Sequence, residues 1–155
     1  MTAARPTVAE AAAAMPPADR ELLEAADILL ERRYAERLHE VAAAARLVSG
    51  HVVTGLHVEA SQGRASVCAE SGVLSTAAAQ GEQVVALVAV LRRPDGGTHL
   101  IEPCGVCAEI LADHCPDARV WVARQGATEP VAAVDLLPFR HVRTARLPLP
   151  RKDPA

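Results

Sequence analysis

Aromatic side chains are scarce: 2% of the 155 residues, one Trp, one Tyr and one Phe. That is too few for the stacking platform on which single-stranded nucleic acid is laid out. Alanine and the aliphatic residues must therefore do most of the packing, since half of the chain is hydrophobic. Basic charge is not in excess either. With a formal net charge of −3 and a pI near 6.1, the chain has no broad positive field to draw in a phosphate backbone. No apolar run approaches the roughly 18 residues that span a bilayer. Met1 to Ala14 is alanine-rich, but it carries Arg5 and Glu10 and lacks the apolar centre of a signal peptide. The expectation is a cytoplasmic protein acting on a free small molecule, with neither nucleic acid nor membrane as partner.

Cysteine is limited to four residues. Without an export signal, these read as metal ligands and thiols rather than disulfides. Two short stretches carry the chemistry: Val67-Cys68-Ala69-Glu70 and Pro103-Cys104-Gly105-Val106-Cys107. Cys104 and Cys107 are three apart, so at the start of a helix both sulfurs lie on one face and can clamp one ion. With Cys68 brought in from elsewhere, three thiolates would hold a tetrahedral Zn²⁺ and leave one position open. Glu70 is close enough in sequence to reach a water in that position. Two other readings compete. A closed structural zinc site needs a fourth protein ligand, which Cys115 or His114 could supply only from the same helix or just past its end. A redox Cys-x-x-Cys pair would leave Cys68 and Glu70 without a role.

The spacing predicts one domain, residues 16–145, between a frayed segment over 1–15 and a Pro-rich tail over 146–155. Pro16-Pro17 suits a helix start, and Leu22, Leu23, Ala26, Leu29 and Leu30 continue with helical period to about Arg37. Ala42 to Ala45 favour helix by propensity. The Ser49-Gly50 punctuation and the following Val-Val-Thr favour a hairpin instead, and the hairpin is the reading adopted: a strand over 39–48 and a second over 51–55. A loop over 57–66 precedes a helix over 67–80. Val84 to Leu91 reads as a central strand covered on both faces, and Arg92 to His99 as an exposed turn. A helix over 104–114, a short strand over 119–123 and a helical turn over 132–137 complete a layered α/β domain. His99 and His141 read as surface residues, and Cys115 as a packed small hydrophobe.

The chain resembles the cytidine deaminase family, including its blasticidin S deaminase branch, over residues 38–139. The resemblance rests on His57-Val58-Glu59, Cys68-Ala69-Glu70, Pro103-Cys104-Gly105-Val106-Cys107 and Leu136-Leu137-Pro138, in the family's order. It implies a three-layer α/β/α sandwich around a mixed sheet of about five strands. It implies a Zn²⁺ cofactor on Cys68, Cys104 and Cys107, and hydrolytic deamination by zinc-bound hydroxide with Glu70 as proton shuttle. A cytosine nucleoside, cytidine or deoxycytidine, is the implied substrate, as in pyrimidine salvage. A modified cytosine nucleoside of the blasticidin S type is the second expectation, and a non-catalytic zinc-stabilised domain the third.

In the substrate pocket, Glu59 matches the family's sugar-binding Glu, while His57 replaces its Asn and His39 replaces a Phe set against the ring. Backbone N–H groups near Ala69 and Cys104 are implied for the ring carbonyl. Ser71 and Ala108 stand where related enzymes carry thiolate-neutralising arginines. Arg64 could compensate, bind an anionic group, or simply be solvated. The family also implies a homotetramer, with a dimer as the smaller alternative.

Overall fold

A computed structural model describes residues 4–143, and the tail expected over 146–155 lies outside the described residues. The order is α1 (Val8–Ala13), α2 (Pro17–Arg33), β1 (Val41–Leu47), β2 (Val52–Leu56), α3 (Ala69–Ala79), β3 (Val84–Arg92), β4 (Thr98–Ile101), α4 (Gly105–His114), β5 (Arg119–Arg124) and β6 (Ala127–Ala132). One mixed sheet runs β2-β1-β3-β5-β6. β4 shares the second edge of β3 with β5: it pairs antiparallel along Ala89–Arg92, while β5 pairs parallel at Ala86 and Leu87. Helices cover both faces, as the three-layer reading requires.

The alanines of β1 show why pairing overrides propensity. Ala42 to Ala45 are all fully buried, hydrogen-bonded to β2 on one side and β3 on the other. Ala42 and Ala44 face the core of α1 and α2, while Ala43, Ala45 and Leu47 face that of α3. The period-2 alternation puts a small side chain against each helical layer, which brings the layers close to the sheet. The hairpin turn is made at Gly50, whose φ of +90° suits glycine. On the α2 face, buried Asp19 takes Nε and Nη2 of Arg119 at 2.7 and 2.9 Å and Nε1 of Trp121 at 2.7 Å. This ties the start of α2 to β5.

Several expectations are corrected. The segment over 1–15, expected to fray, carries α1, opened by a Thr7/Glu10 capping box and anchored by buried Ala11 and Met15. Its leading residues also extend the sheet. Pro6 O accepts Leu100 N–H at 3.0 Å, and Thr7 bridges His99. The supposed turn residue His99 therefore lies in β4, where its Nδ1 is 3.2 Å from Arg5 O. α2 ends at Arg33 rather than about Arg37, because the chain turns back through Arg37 at φ +63°. The sheet has six strands. β4 is only four residues long, and β6 includes Pro130, which an edge strand tolerates. The last turn is a 3₁₀ helix over Ala133–Leu136.

Candidate metal centre and active site

Cys68 is the N-cap of α3, Cys104 the N-cap of α4, and Cys107 lies in the first turn of α4. Two helix N-termini thus converge, and their unsatisfied N–H groups and dipoles favour anionic sulfur. The three sulfurs all lie within 4.8 Å of one another, and Cys68 Sγ is 3.7 Å from Cys104 Sγ. Two thiolates on one tetrahedral zinc, each about 2.3 Å from the metal, would stand about 3.8 Å apart. The cluster has the spacing and the soft donors that zinc takes.

The thiols' own acidities point the same way. Burial, followed by the negative charge of Glu70, pushes the Cys107 thiol well up, and burial also raises Cys68. At Cys104 burial acts against ionisation, but the N–H groups of Cys107 and Val106 and the neighbouring thiols outweigh it and lower the pKa. Three thiolates beside a carboxylate cannot all ionise without a compensating cation, and a divalent ion provides it. Cys115 does not join them. It is buried in the core below α4, its thiol pushed up to about 11, and His114 is exposed. Ser71 Oγ lies 3.7 Å from Cys107 Sγ. Once that sulfur is a thiolate, only the hydroxyl can donate. Ala108 offers no donor.

Glu70, 4% exposed, is one of two buried charged residues among those described. Burial raises its pKa, opposed but not reversed by hydrogen bonding at its own backbone and at Cys107 and by the nearby His57. A raised carboxyl exchanges its proton closer to neutrality than an exposed one.

A second part of the site comes from the segment after β2. Val58 and Val67 form an isolated antiparallel bridge, with N–H to O distances of 3.0 and 2.9 Å. His57 is thereby set opposite Cys68, and Glu59 opposite Ser66. Gly55 makes this approach feasible: a Cβ there would lie 2.2 Å from Ala69 O and 3.0 Å from Val73 N. His57 and Glu59 are joined, with Nε2 3.0 Å from Oε2. Ser66 Oγ donates to Glu59 Oε1 at 2.6 Å and accepts Ala60 N–H at 3.0 Å. The Ser66 hydrogen bond is the main reason Glu59 has a lowered pKa. His39 Nδ1 is 2.8 Å from His57 O, so it sits beside this pair. Arg64 is exposed.

The structure thus brings Cys68, Cys104, Cys107, Ala69 and Glu70 into one cluster and sets His57, Glu59 and His39 beside it. Ser66 is the residue that sequence reasoning passed over. Its only signal is a place across from Glu59 in a bridge of a single residue pair.

Comparison with known proteins agrees with this geometry. Residues 17–123 match the family described as the cytidine and deoxycytidylate deaminase zinc-binding region. The blasticidin-S deaminase of Bacillus cereus is 30% identical over 130 residues, covering 81% of this chain and 93% of that protein. The cytidine deaminase of Halalkalibacterium halodurans is 31% identical over 104 residues, covering 64% and 74%. The crystal structure of cytidine deaminase from Burkholderia pseudomallei superposes with a TM-score of 0.64 at 30% identity, covering 80% of this chain and 98% of that one. With its three-cysteine zinc site, this chain belongs to the cytidine and deoxycytidylate deaminase family of zinc-dependent hydrolytic deaminases.

Proposed function

We propose that the protein deaminates a free cytosine nucleoside, cytidine or deoxycytidine, to the corresponding uridine and ammonia. The observation that carries this reading is a buried Glu70 beside a three-sulfur cluster at two helix N-termini. Zinc held by Cys68, Cys104 and Cys107 would acidify a water at its open position. Glu70 would take one proton from the attacking water and pass it to the ring nitrogen, then take the second from the hydroxyl so formed on the ring carbon and pass it to the departing amine. Backbone N–H groups near Ala69 and Cys104 would donate to the ring carbonyl. Glu59, held by Ser66 and His57, would accept from the sugar.

The blasticidin-S deaminase of B. cereus, matched over nearly its whole length, favours a second reading, a cytosine nucleoside with a modified sugar. The test is ammonia release by the zinc-loaded protein from cytidine, deoxycytidine, cytosine, blasticidin S and an adenosine control, with Glu70→Gln as the blank. Turnover of cytidine or deoxycytidine supports the first reading, and turnover of blasticidin S alone supports the second. A Glu70→Gln protein that keeps near-normal turnover would remove Glu70 from the mechanism.

The assembly proposed is a homotetramer, with a dimer as the smaller alternative. In its favour, Phe139 is 99% exposed and Val106, between two of the clustered cysteines, is 66% exposed. Light scattering that found a fully active monomer at assay concentration would reject it.

A further inference from the structure

The hydrogen bonds around His57 and Glu59 constrain the group this site can bind, an argument that rests on the deaminase reading above. Glu40 N–H points at His57 Nδ1 from 3.4 Å. That nitrogen must be the acceptor, so the ring proton sits on Nε2, which donates to Glu59 Oε2 at 3.0 Å. Both nitrogens of His57 are therefore engaged. Ser66 is engaged as well, giving its hydrogen to Glu59 and receiving one from Ala60. His39 Nδ1 faces the His57 carbonyl, which can only accept.

What remains for a ligand is one-sided. Glu59 has used one lone pair on each oxygen, its side chain is 40% exposed, and it has acceptor capacity left. No side-chain donor of this cluster is free. A sugar hydroxyl can donate here, but it meets no donor in return. An ammonium meets the Glu59 carboxylate, an acceptor that is also an anion. Among the described residues, no lysine or arginine contributes to holding Glu59 ionised; Ser66, His57 and the Ala60 N–H do so.

We propose that the His57–Glu59–Ser66 cluster makes this enzyme selective for cytosine nucleosides that carry a cationic nitrogen on the sugar, in preference to ordinary hydroxylated ones. His57 is the specificity-determining residue, because it fills the place of a free donor and orients the carboxylate. Asparagine at 57 would be too short to reproduce the Nε2 bond to Glu59 and would leave an amide with both a donor and an acceptor free for a hydroxyl.

The experiment compares kcat/KM for cytidine with that for its 2′-amino-2′-deoxy and 3′-amino-3′-deoxy analogues, at a pH where the amine is protonated. Each protein is read as a ratio of substrates, so a variant that folds poorly does not distort the result. A charge-assisted bond is roughly twice as strong as a neutral one, so a preference of about tenfold for one amino analogue is expected. It should fall to near parity in His57→Asn and be lost in Glu59→Gln. The same ratios are taken as dissociation constants in zinc-loaded Glu70→Gln, which decides the inference even if turnover is absent. Cytidine bound and turned over as well as or better than both amino analogues would overturn the inference and leave the deaminase reading standing. An undiminished preference in His57→Asn would overturn the role given to that residue. No turnover of any nucleoside, with the amino preference still present in binding, would refute the proposed reaction while upholding the selectivity.

Discussion

Gly55→Ala tests the claim that the active site is set by how closely β2 approaches the start of α3. The alanine Cβ would sit 2.2 Å from Ala69 O, with Val73 N and Cγ2 at 3.0 and 3.1 Å. The carbonyl overlap is about 1 Å short of ordinary contact, and its partner is backbone rather than a flexible side-chain end. Ala69 lies between Cys68 and Glu70, so the displacement is passed directly to a metal ligand and to the proposed shuttle. Overpacking of this kind costs about 1–3 kcal/mol, or a fall in melting temperature of about 2–10 °C at this chain length. A misplacement of about 1 Å can cost on the order of a hundredfold in rate. Two ways of relieving the clash differ in their readout. If α3 yields, Cys68 withdraws from Cys104, and zinc affinity by chelator competition falls together with kcat. If β2 yields, His57 and Glu59 shift, and KM rises with zinc affinity unchanged. A variant that melts, binds zinc and turns over within about threefold of wild type would refute the reasoning, since nothing in the site would then depend on the contact.

Three further outcomes are expected. Asp19→Ala strands the buried Trp121 N–H and releases Arg119, whose side chain is 47% exposed and can return to water. The loss should be about 2–4 kcal/mol by urea denaturation, and a loss below about 1 kcal/mol would mean the network is replaceable. Burial pushes the Asp19 carboxyl up, but the hydrogen bonds from Arg119 and Trp121 outweigh it and leave the pKa below its ordinary 3.8. A depressed acid stabilises the fold above its unfolded pKa and ceases to as pH falls through the folded one. The gap between wild type and Asp19→Ala should therefore be full above pH 3.8 and close progressively below it. Ser71→Ala removes the hydroxyl donor to Cys107 and should weaken zinc about tenfold in chelator competition, within the range for outer partners of a metal site. Unchanged affinity would show that the helix N-termini alone stabilise the sulfurs.

Much of this molecule was legible wherever the signal lies within a few residues. The Cys104/Cys107 pair, the Gly50 turn and the aliphatic run of β3 are all local, and each stands where the sequence placed it. The alanines of β1 carried conflicting signals. The hairpin punctuation around them outweighed their helix propensity, and their full burial between two strands agrees. What escaped depends on partners far along the chain. α1 is short and alanine-rich, and it gains its place from contacts such as Pro6 with Leu100, made across 94 residues. β4 and β6 are edge segments of four and six residues, too brief for periodicity to register.

The same division explains why the metal ligands could be named from the sequence and the specificity pocket could not. A thiolate's role follows from its element and its spacing. The behaviour of a histidine follows from which of its two nitrogens is occupied, and by what. His57 could be read as a replacement able to donate to a sugar hydroxyl only while its neighbours were unknown. Once Glu40 N–H is seen on one nitrogen and Glu59 on the other, the donor it would have offered is already spent. On the proposed selectivity, the departure from asparagine is a change in what the site accepts. Glu40 meets His57 because the β1–β2 pairing runs on past Leu56, with His57 N–H to Val41 O at 2.8 Å, while the Val58–Val67 bridge brings Ser66 opposite Glu59. The proposed sugar preference therefore rests on that pairing and that bridge as much as on the side chain at 57.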